Sequence, residues 1–452
     1  MKALWYCALA TLALVACAQA LPPQTSGTNR APVSPGSFRL ASAASKIHHV
    51  VIIFQENRTP DNLFNRFPGA DTVRSGKNSQ GQTVALQAVP LKAYYDLSHE
   101  HSAYEIEHAN GELNGFNNVL SACQKGKVCP RPVVRAYGYV PRSAVLPYFT
   151  MARRYTFADR MFQSNEGPSF PAHQYILSGT STIANGSQLR AAGNPFIPSG
   201  GFTGGCDSPP GSFVWLIDPY GNENQATYPC FNRLTLMDLL DAKSLSWRYY
   251  QAKLGAGLWH GPDAILHIRN SKGYSTHVVA PPKTILLDVA HRRLANVVWV
   301  TPTGAASDHS GITNGTGPSW VASVVNAIGQ SPYWNDTVIF VTWDDWGGWY
   351  DHVPPPQYNS YELGFRVPLI VISAYAKQRY VSHRQHEFGS ILKFAEETFG
   401  LGSMGTTDVR SDDLSDCFNF SRSPTRFEKI PAQFPTTYFL KQPTSTESPD
   451  ND

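Results

Sequence analysis

Residues 337–348 read TVIFVTWDDWGG, an unbroken β-branched and aromatic run that stops abruptly on two carboxylates and two glycines. A run of that length with no polar break suits a strand covered on both faces of a parallel sheet. Asp344-Asp345 is a costly ending for it, because adjacent like charges raise each other's pKa unless a cation holds them. Near the start of the chain the same design recurs: HHVVIIF (48–54) runs straight into Gln55-Glu56-Asn57-Arg58. Any fold for this chain must therefore bury two such strands and still find a use for the polar residues at their ends.

Two further runs, NVVWVT (296–301) and VPLIVIS (367–373), have the same continuous apolar character. Helical patterns lie among them. SWVASVVNAIGQS follows Pro318, with Ser319 as a cap; RLTLMDLLDAKS precedes the strand-like SWRYY; SILKFAEETFG ends on Gly400. Alternating strands and helices predict an α/β fold, most simply a three-layer α/β/α sandwich. The segment from 180 to 290, rich in Gly, Pro and aromatics, is expected to form insertion loops over one edge. Ligands of open α/β sheets bind outside the carboxyl ends of the strands. Two strands about 290 residues apart thus deliver Glu56, Asn57, Asp344 and Asp345 to one edge, where a divalent metal ion suits their hard oxygens. The plainer alternative is a helix cap at Asp344-Asp345 and a local ion pair between Glu56 and Arg58.

The chain has 452 residues, 16% of them charged, with 35 Gly and 34 Pro. That charged fraction is well below the usual share of about 25% and suits a loop-rich exported protein. A net charge of +3 is too small to suggest nucleic acid as partner. MKALWYCALATLALVACAQALPPQ reads as a secretory signal over residues 1–20. It ends either at Ala18-Gln19-Ala20 or, preferred, at a lipobox-like Leu14-Val15-Ala16-Cys17, which makes Cys17 a lipid anchor to a membrane. Residues 21–45 read as a flexible linker, 46–440 as the folded domain and 441–452 as a disordered tail. Cys123 with Cys129, and Cys206 with Cys230, are expected disulfides in an exported chain, which leaves Cys417 as a buried free thiol.

Five blocks, in order, resemble the phosphoesterase family of bacterial and plant phospholipases C and acid phosphatases. VVIIFQENRTPDNLF is similar to its Glu-Asn-Arg-Ser-Phe-Asp signature, and DLSHEHSAYEIEHANGELNGF to its Asp-x-x-His and Asn-Gly segment. VVWVTPTGAASDHSG resembles the Ser-x-His block, DDWGGWYDHV the Asp-Glu-x-x-Gly-x-x-Asp-His-Val block, and GFRVPLIVIS the Gly-x-Arg-Val-Pro strand. The resemblance implies an alkaline-phosphatase-like sandwich in which a Ser or Thr attacks phosphorus beside a bound metal. The nucleophile motif Thr-x-Pro-Asn-Arg falls on GPSFPAHQYILSG, with Ser169 on the Thr and Pro171 on the Pro. Ala172 and His173 replace Asn-Arg, and Thr59-Pro60 replaces Ser-Phe.

The expected site therefore comprises Ser169 as nucleophile, with Glu56, Asn57, Asp344 and Asp345 as metal ligands. His99 and His309 are expected as phosphate donors or leaving-group acids, and His352 as a site residue or an orienter of Asp344 or Asp345. Ser169 has a second reading as the N-cap of the helix that follows, compatible with the first because helix N-termini stabilise anions. The expected activity is exported, metal-dependent hydrolysis of a phosphorylated small molecule through a phosphoserine. Phospholipase C action on phosphatidylcholine-type lipids is the alternative within the class. The resemblance implies extra C-terminal β-domains and a twin-arginine leader in larger phospholipases, which are not expected here; short phospholipases of the family exist, so neither feature decides between the two readings. A catalytically inactive phospho-ligand-binding protein is the rival outside enzymes.

Overall fold

The computed structural model describes residues 46–445. The signal, Cys17 and the 21–45 linker lie outside the described residues, as does most of the expected tail. A nine-stranded mixed sheet forms the centre. Its strands are β1 (His49–Gln55), β2 (Thr156–Phe162), β3 (Trp247–Tyr250), β4 (Val278–Val279), β5 (Val297–Val300), β6 (Thr337–Trp343), β7 (Arg366–Ser373), β8 (Tyr380–Ser382) and β9 (His386–Glu387). They lie in the order β4-β3-β5-β1-β6-β7-β2-β8, with β9 also paired to β2.

The apolar runs form the middle of the sheet. Val50 to Phe54 and Val338 to Val341 are fully buried, as continuous hydrophobicity requires. Truncating Ile52 or Phe340 to Ala would leave a cavity costing about 2–5 kcal/mol. Helices cover both faces in two groups. On one, α2 (Ser169–Ser178) packs against α3 (Leu236–Ala242) and α6 (Phe388–Phe399). On the other, α1 (Leu146–Arg154) and α4 (Thr284–Ala290) pack against α5 (Gly317–Gly329). The result is the expected α/β sandwich. Thr235 caps α3 in a reciprocal capping box with Asp238, and Gly400 ends α6 in a left-handed conformation.

Three expectations are corrected. VPLIVIS is a buried strand but runs antiparallel to both neighbours, β6 and β2. The reason is its connection: residues 344–365 contain no helix to carry the chain back across the sheet, so β7 starts at the edge where β6 ends. Ser319 is not the cap of α5, which begins at Gly317 with Pro318 in its first turn. The 180–290 region is more than loops. RLTLMDLLDAKS and the strand-like SWRYY form α3 and β3 as read, and the region also adds β4 to the central sheet and folds a small antiparallel sheet of Arg190–Ala191, Val214–Ile217 and Gln225–Thr227. Cys123–Cys129 and Cys206–Cys230 are bridged, and Cys417 is free and buried. Among the described residues no helix is long and apolar enough to cross a membrane.

Candidate active site

β1 and β6 pair in parallel from His49↔Thr337 to Gln55↔Trp343, so both chains leave the sheet side by side. Asp344 N–H extends the ladder by donating to Gln55 O at 3.0 Å. Asn57 then turns in the left-handed region at φ 66°, which asparagine tolerates better than most residues. Its N–H donates to Asp344 Oδ1 at 3.1 Å, and its Nδ2 lies 3.4 Å from Asp345 Oδ2. Register alone thus brings Glu56, Asn57, Asp344 and Asp345 together, all fully buried.

Ser169 reaches the same place from β2. It is the first residue of α2 and is fully buried. Its hydroxyl lies 3.2 Å from Asp345 Oδ2 and 3.4 Å from Glu56 Oε2. The side chain does not cap its helix; Pro168 occupies the cap position, and the Phe170 N–H donates to Asn194 Oδ1 at 3.0 Å. Pro171 has no N–H, so this helix start offers fewer free donors to an anion than expected. Phe170 anchors the turn by packing with Phe231, Leu258 and Trp259.

Opposite the serine stand two histidines. His99 Nδ1 lies 2.7 Å from Leu97 O, and its Nε2 is 3.0 Å from Asn57 Nδ2. The backbone carbonyl takes the Nδ1 hydrogen, so Nε2 accepts from the amide. His309 Nδ1 likewise lies 2.7 Å from Ser310 O, and the two rings meet edge to face at 5.8 Å. Buried Arg58 steadies this loop by donating to Asp308 O through Nε and Nη2 and to Leu91 O. Burial depresses the Arg58 pKa to about 10, still charged at neutral pH. The Arg58 guanidinium thus meets backbone carbonyls where the plainer alternative had put an ion pair with Glu56.

His173 was not among the expected site residues. It sits four residues after Ser169 on the same face of α2, with Nε2 3.3 Å from Glu56 Oε1 and 3.9 Å from Asp344 Oδ2. Full burial lowers its pKa to about 4 despite Asp344, so the ring is neutral. The i, i+4 spacing from Ser169 is the signal that could have found it. Glu56, His173 and Asp344 offer ligand atoms all within 4.8 Å of one another. Asp344 Oδ2 and Asn57 Oδ1 are buried acceptors with no hydrogen-bond donor among the described residues. Buried carboxylates with orphaned oxygens are costly without a counter-charge, and this mostly oxygen set fits a divalent ion.

The structure does not bring His352 into this cluster. Its Nδ1 lies 2.6 Å from Asp61 Oδ2 and its Nε2 3.0 Å from Asp71 Oδ1, so both nitrogens are committed away from Asp344 and Asp345. Arg366 joins the same network, pairing with Asp351 at 3.0 Å and reaching Asp61 at 3.5 Å. Burial would lower the His352 pKa, but the Asp61 hydrogen bond and charge raise it. The guanidinium already supplies the cation here. Asp351-His352 thus tie the 344–365 connection to β7 and to the 61–71 segment.

A phosphoesterase-family model matches residues 47–402, a span that includes both strand ends and Ser169. The chain is 24% identical over 436 residues to the hemolytic phospholipase C of Pseudomonas aeruginosa, covering 83% of this chain and 56% of that protein. It is 24% identical over 439 residues to phospholipase C B of Mycobacterium tuberculosis, covering 84% and 78% respectively. The non-specific phospholipase C4 of Arabidopsis thaliana is 28% identical over 416 residues, covering 80% and 69%. The chain spans less than two thirds of the length of the two Pseudomonas phospholipases, 56% and 57%. Among solved structures, an alkaline phosphatase superfamily protein from Vibrio parahaemolyticus aligns with a TM-score of 0.37 at 10% identity, covering 84% of this chain and 77% of that one. On the strength of the family match across most of its length, this chain belongs to the phosphoesterase family.

Proposed function

We propose that the chain hydrolyses phosphoric esters with Ser169 as the nucleophile. The observation that carries this reading is the Ser169 hydroxyl lying between Asp345 and Glu56 at the carboxyl ends of two paired strands. A divalent ion held by Glu56, Asn57, Asp344 and Asp345 would lower the hydroxyl pKa and neutralise phosphoryl oxygens.

The chain's own residues do the rest. Ser169 Oγ bonds to phosphorus as the ester P–O bond breaks, and its proton passes to the carboxylate that it faces. A non-bridging oxygen that takes the place of His99 Nε2 at Asn57 Nδ2 receives that amide hydrogen, His99 donates to it only as the imidazolium, and His309, entering as the imidazolium, protonates the departing oxygen. Water then attacks the phosphoserine, with His309 taking its proton; the Oγ–P bond breaks, the serine oxygen regains its proton from the carboxylate that held it, and phosphate leaves. Burial excludes bulk water and strengthens each of these contacts.

A cavity of about 480 Å³ opens from His99 and His309 toward solvent, with Tyr94, Leu120, Phe202 and Ile312 among its walls. It receives the leaving group. A phosphomonoester is our first choice of substrate, supported by Ser169 and Ala172-His173 in place of the Thr and Asn-Arg of the phospholipase motif. The phospholipase C relatives favour a second reading, a phosphatidylcholine-type diester. Turnover of p-nitrophenyl phosphate, its phosphorylcholine ester and phosphatidylcholine vesicles, each with and without chelator, separates them. Chelator-sensitive hydrolysis of the monoester alone is expected; hydrolysis of vesicles alone selects the second reading. No turnover of any phosphoric ester by the metal-loaded protein would overturn both.

A further inference from the structure

His173 carries information about which ion the site takes. Its Nδ1 lies 3.5 Å from the Tyr249 hydroxyl, and that hydroxyl donates to Trp259 O at 2.7 Å. A phenol has one hydrogen, so toward His173 the Tyr249 oxygen can only accept. Nδ1 therefore carries a hydrogen, and the neutral imidazole, the form that binds a cation, has no other. That leaves Nε2 as a bare lone pair aimed at Glu56 Oε1, 3.3 Å away, and Asp344 Oδ2, 3.9 Å away. Asp344 Oδ2 has no hydrogen-bond donor among the described residues, so a cation at this buried point would satisfy both it and the Nε2 lone pair. An imidazole that gives its far N–H to a fixed acceptor and its near lone pair to the site is the usual arrangement of a metal-bound histidine.

We propose that His173 Nε2 is a nitrogen ligand of the ion held by Glu56 and Asp344, and that it biases the site toward Zn²⁺, Fe²⁺ or Co²⁺ over Mg²⁺ and Ca²⁺. This rests on the metal reading given above and deepens it. Oxygen ligands alone suit the hard ions, whereas imidazole suits the borderline ones. The position also explains why Ser169 and its neighbour four residues on share one helix face: both point at the same ion. The competing arrangement puts the hydrogen on Nε2, donated to Glu56, and makes His173 a positioning residue with no effect on ion choice.

Protein stripped with chelator and reloaded with Mn²⁺ tests the ligand directly, because pulsed electron paramagnetic resonance detects a nitrogen bound to that ion. A bound-nitrogen signal is expected in the wild type and in His99→Gln and is expected to vanish in His173→Gln. Calorimetric titrations of the stripped protein test the bias: His173→Gln should lose about tenfold or more in Zn²⁺ affinity while Ca²⁺ affinity changes by less than about threefold. Tyr249→Phe, which keeps the ring but removes the acceptor for Nδ1–H, should weaken Zn²⁺ in the same direction. It secures the result if the glutamine variant loses its near-ultraviolet circular dichroism. Ion binding without a nitrogen signal, or equal losses for Zn²⁺ and Ca²⁺, overturns this assignment alone. Failure of the stripped wild type to bind any divalent ion overturns the metal reading beneath it as well.

Discussion

Gly348 stands against Leu97 with no room for a side chain: a Cβ on the glycine would meet the Leu97 Cβ at 2.5 Å and Ser98 O at 2.9 Å. Its φ of +66° lies in the left-handed region. Gly347 makes the same approach to Asn57, where an added Cβ would lie 2.5 Å from the backbone oxygen. The two glycines that follow the paired aspartates therefore let the 344–365 connection cross directly over the Asn57 turn and over the segment leading to His99. They clamp three separate stretches of chain into one site.

Gly348→Ala should for that reason be destabilising out of proportion to one methyl group. Backbone strain and overpacking each cost about 1–3 kcal/mol. Gly81, at φ +73° with nothing within 4 Å of an added Cβ, isolates the strain alone. Urea unfolding should show a larger loss for Gly348→Ala than for Gly81→Ala, and only the former should reduce turnover. Equal losses would mean that the close approach to Leu97 relaxes freely.

His352 offers a pH test that separates structure from catalysis. Its partners are Asp61, Asp71, Asp351 and Arg366, and the carboxylates raise its pKa against the effect of burial. A raised folded pKa means that the protonated ring stabilises the fold. That contribution is fully present below the unfolded value of about 6.5 and is lost as pH rises through the higher folded value. The wild type should therefore exceed His352→Gln in urea midpoint at pH 5.5, with the gap narrowing by pH 9. Turnover of the folded variant under saturating substrate should stay within about tenfold of wild type, a barrier change under about 1.4 kcal/mol. A thousandfold loss with an unchanged midpoint would restore His352 to the reacting centre.

What could be read from residues alone follows from range. The buried strands were legible because continuous β-branched runs are a local signal, and their polar ends fell together because parallel pairing puts carboxyl ends on one edge. The direction of β7 was not legible, since it depends on what the 344–365 connection lacks. His352 was misplaced because adjacency to Asp351 in a motif says nothing about which carboxylate its ring will find; Asp61 and Asp71 lie 291 and 281 residues earlier in the chain. His173 was overlooked as a departure from the Asn-Arg pattern, although its helical spacing from Ser169 already put both on one face.

Metal removal should cost stability as well as activity. Without an ion, Asp344 Oδ2 and Asn57 Oδ1 remain buried acceptors beside Glu56 and Asp345. Chelation should lower the melting temperature of the wild type, and re-addition of one equivalent of a suitable divalent ion should restore it. A bound ion present at a hundred times its Kd adds about 2.7 kcal/mol by mass action. Asp344→Asn removes one of the buried like charges, so its stripped form should melt above the stripped wild type while regaining less on re-addition. A melting temperature indifferent to chelator in both proteins would overturn the metal reading.

Ser169→Ala carries the mechanism. The substitution deletes a hydroxyl from the first position of α2 without touching its cap, because the helix start is held by Asn194 on the Phe170 N–H and by the packing of Phe170. Fold and ion binding should survive, since Glu56, Asn57 and Asp344 remain in place. Turnover should fall by about a thousandfold or more, equivalent to at least about 4 kcal/mol of barrier, since no neighbouring hydroxyl takes over the attack. Rapid acid quench of the wild type during turnover of labelled substrate should trap phosphate on Ser169, and His309→Ala should prolong it by slowing attack of water on that intermediate. Retention of more than about a tenth of wild-type turnover in Ser169→Ala, a barrier change under about 1.4 kcal/mol, would reduce the serine to a bystander between Asp345 and Glu56 and leave water as the attacking group.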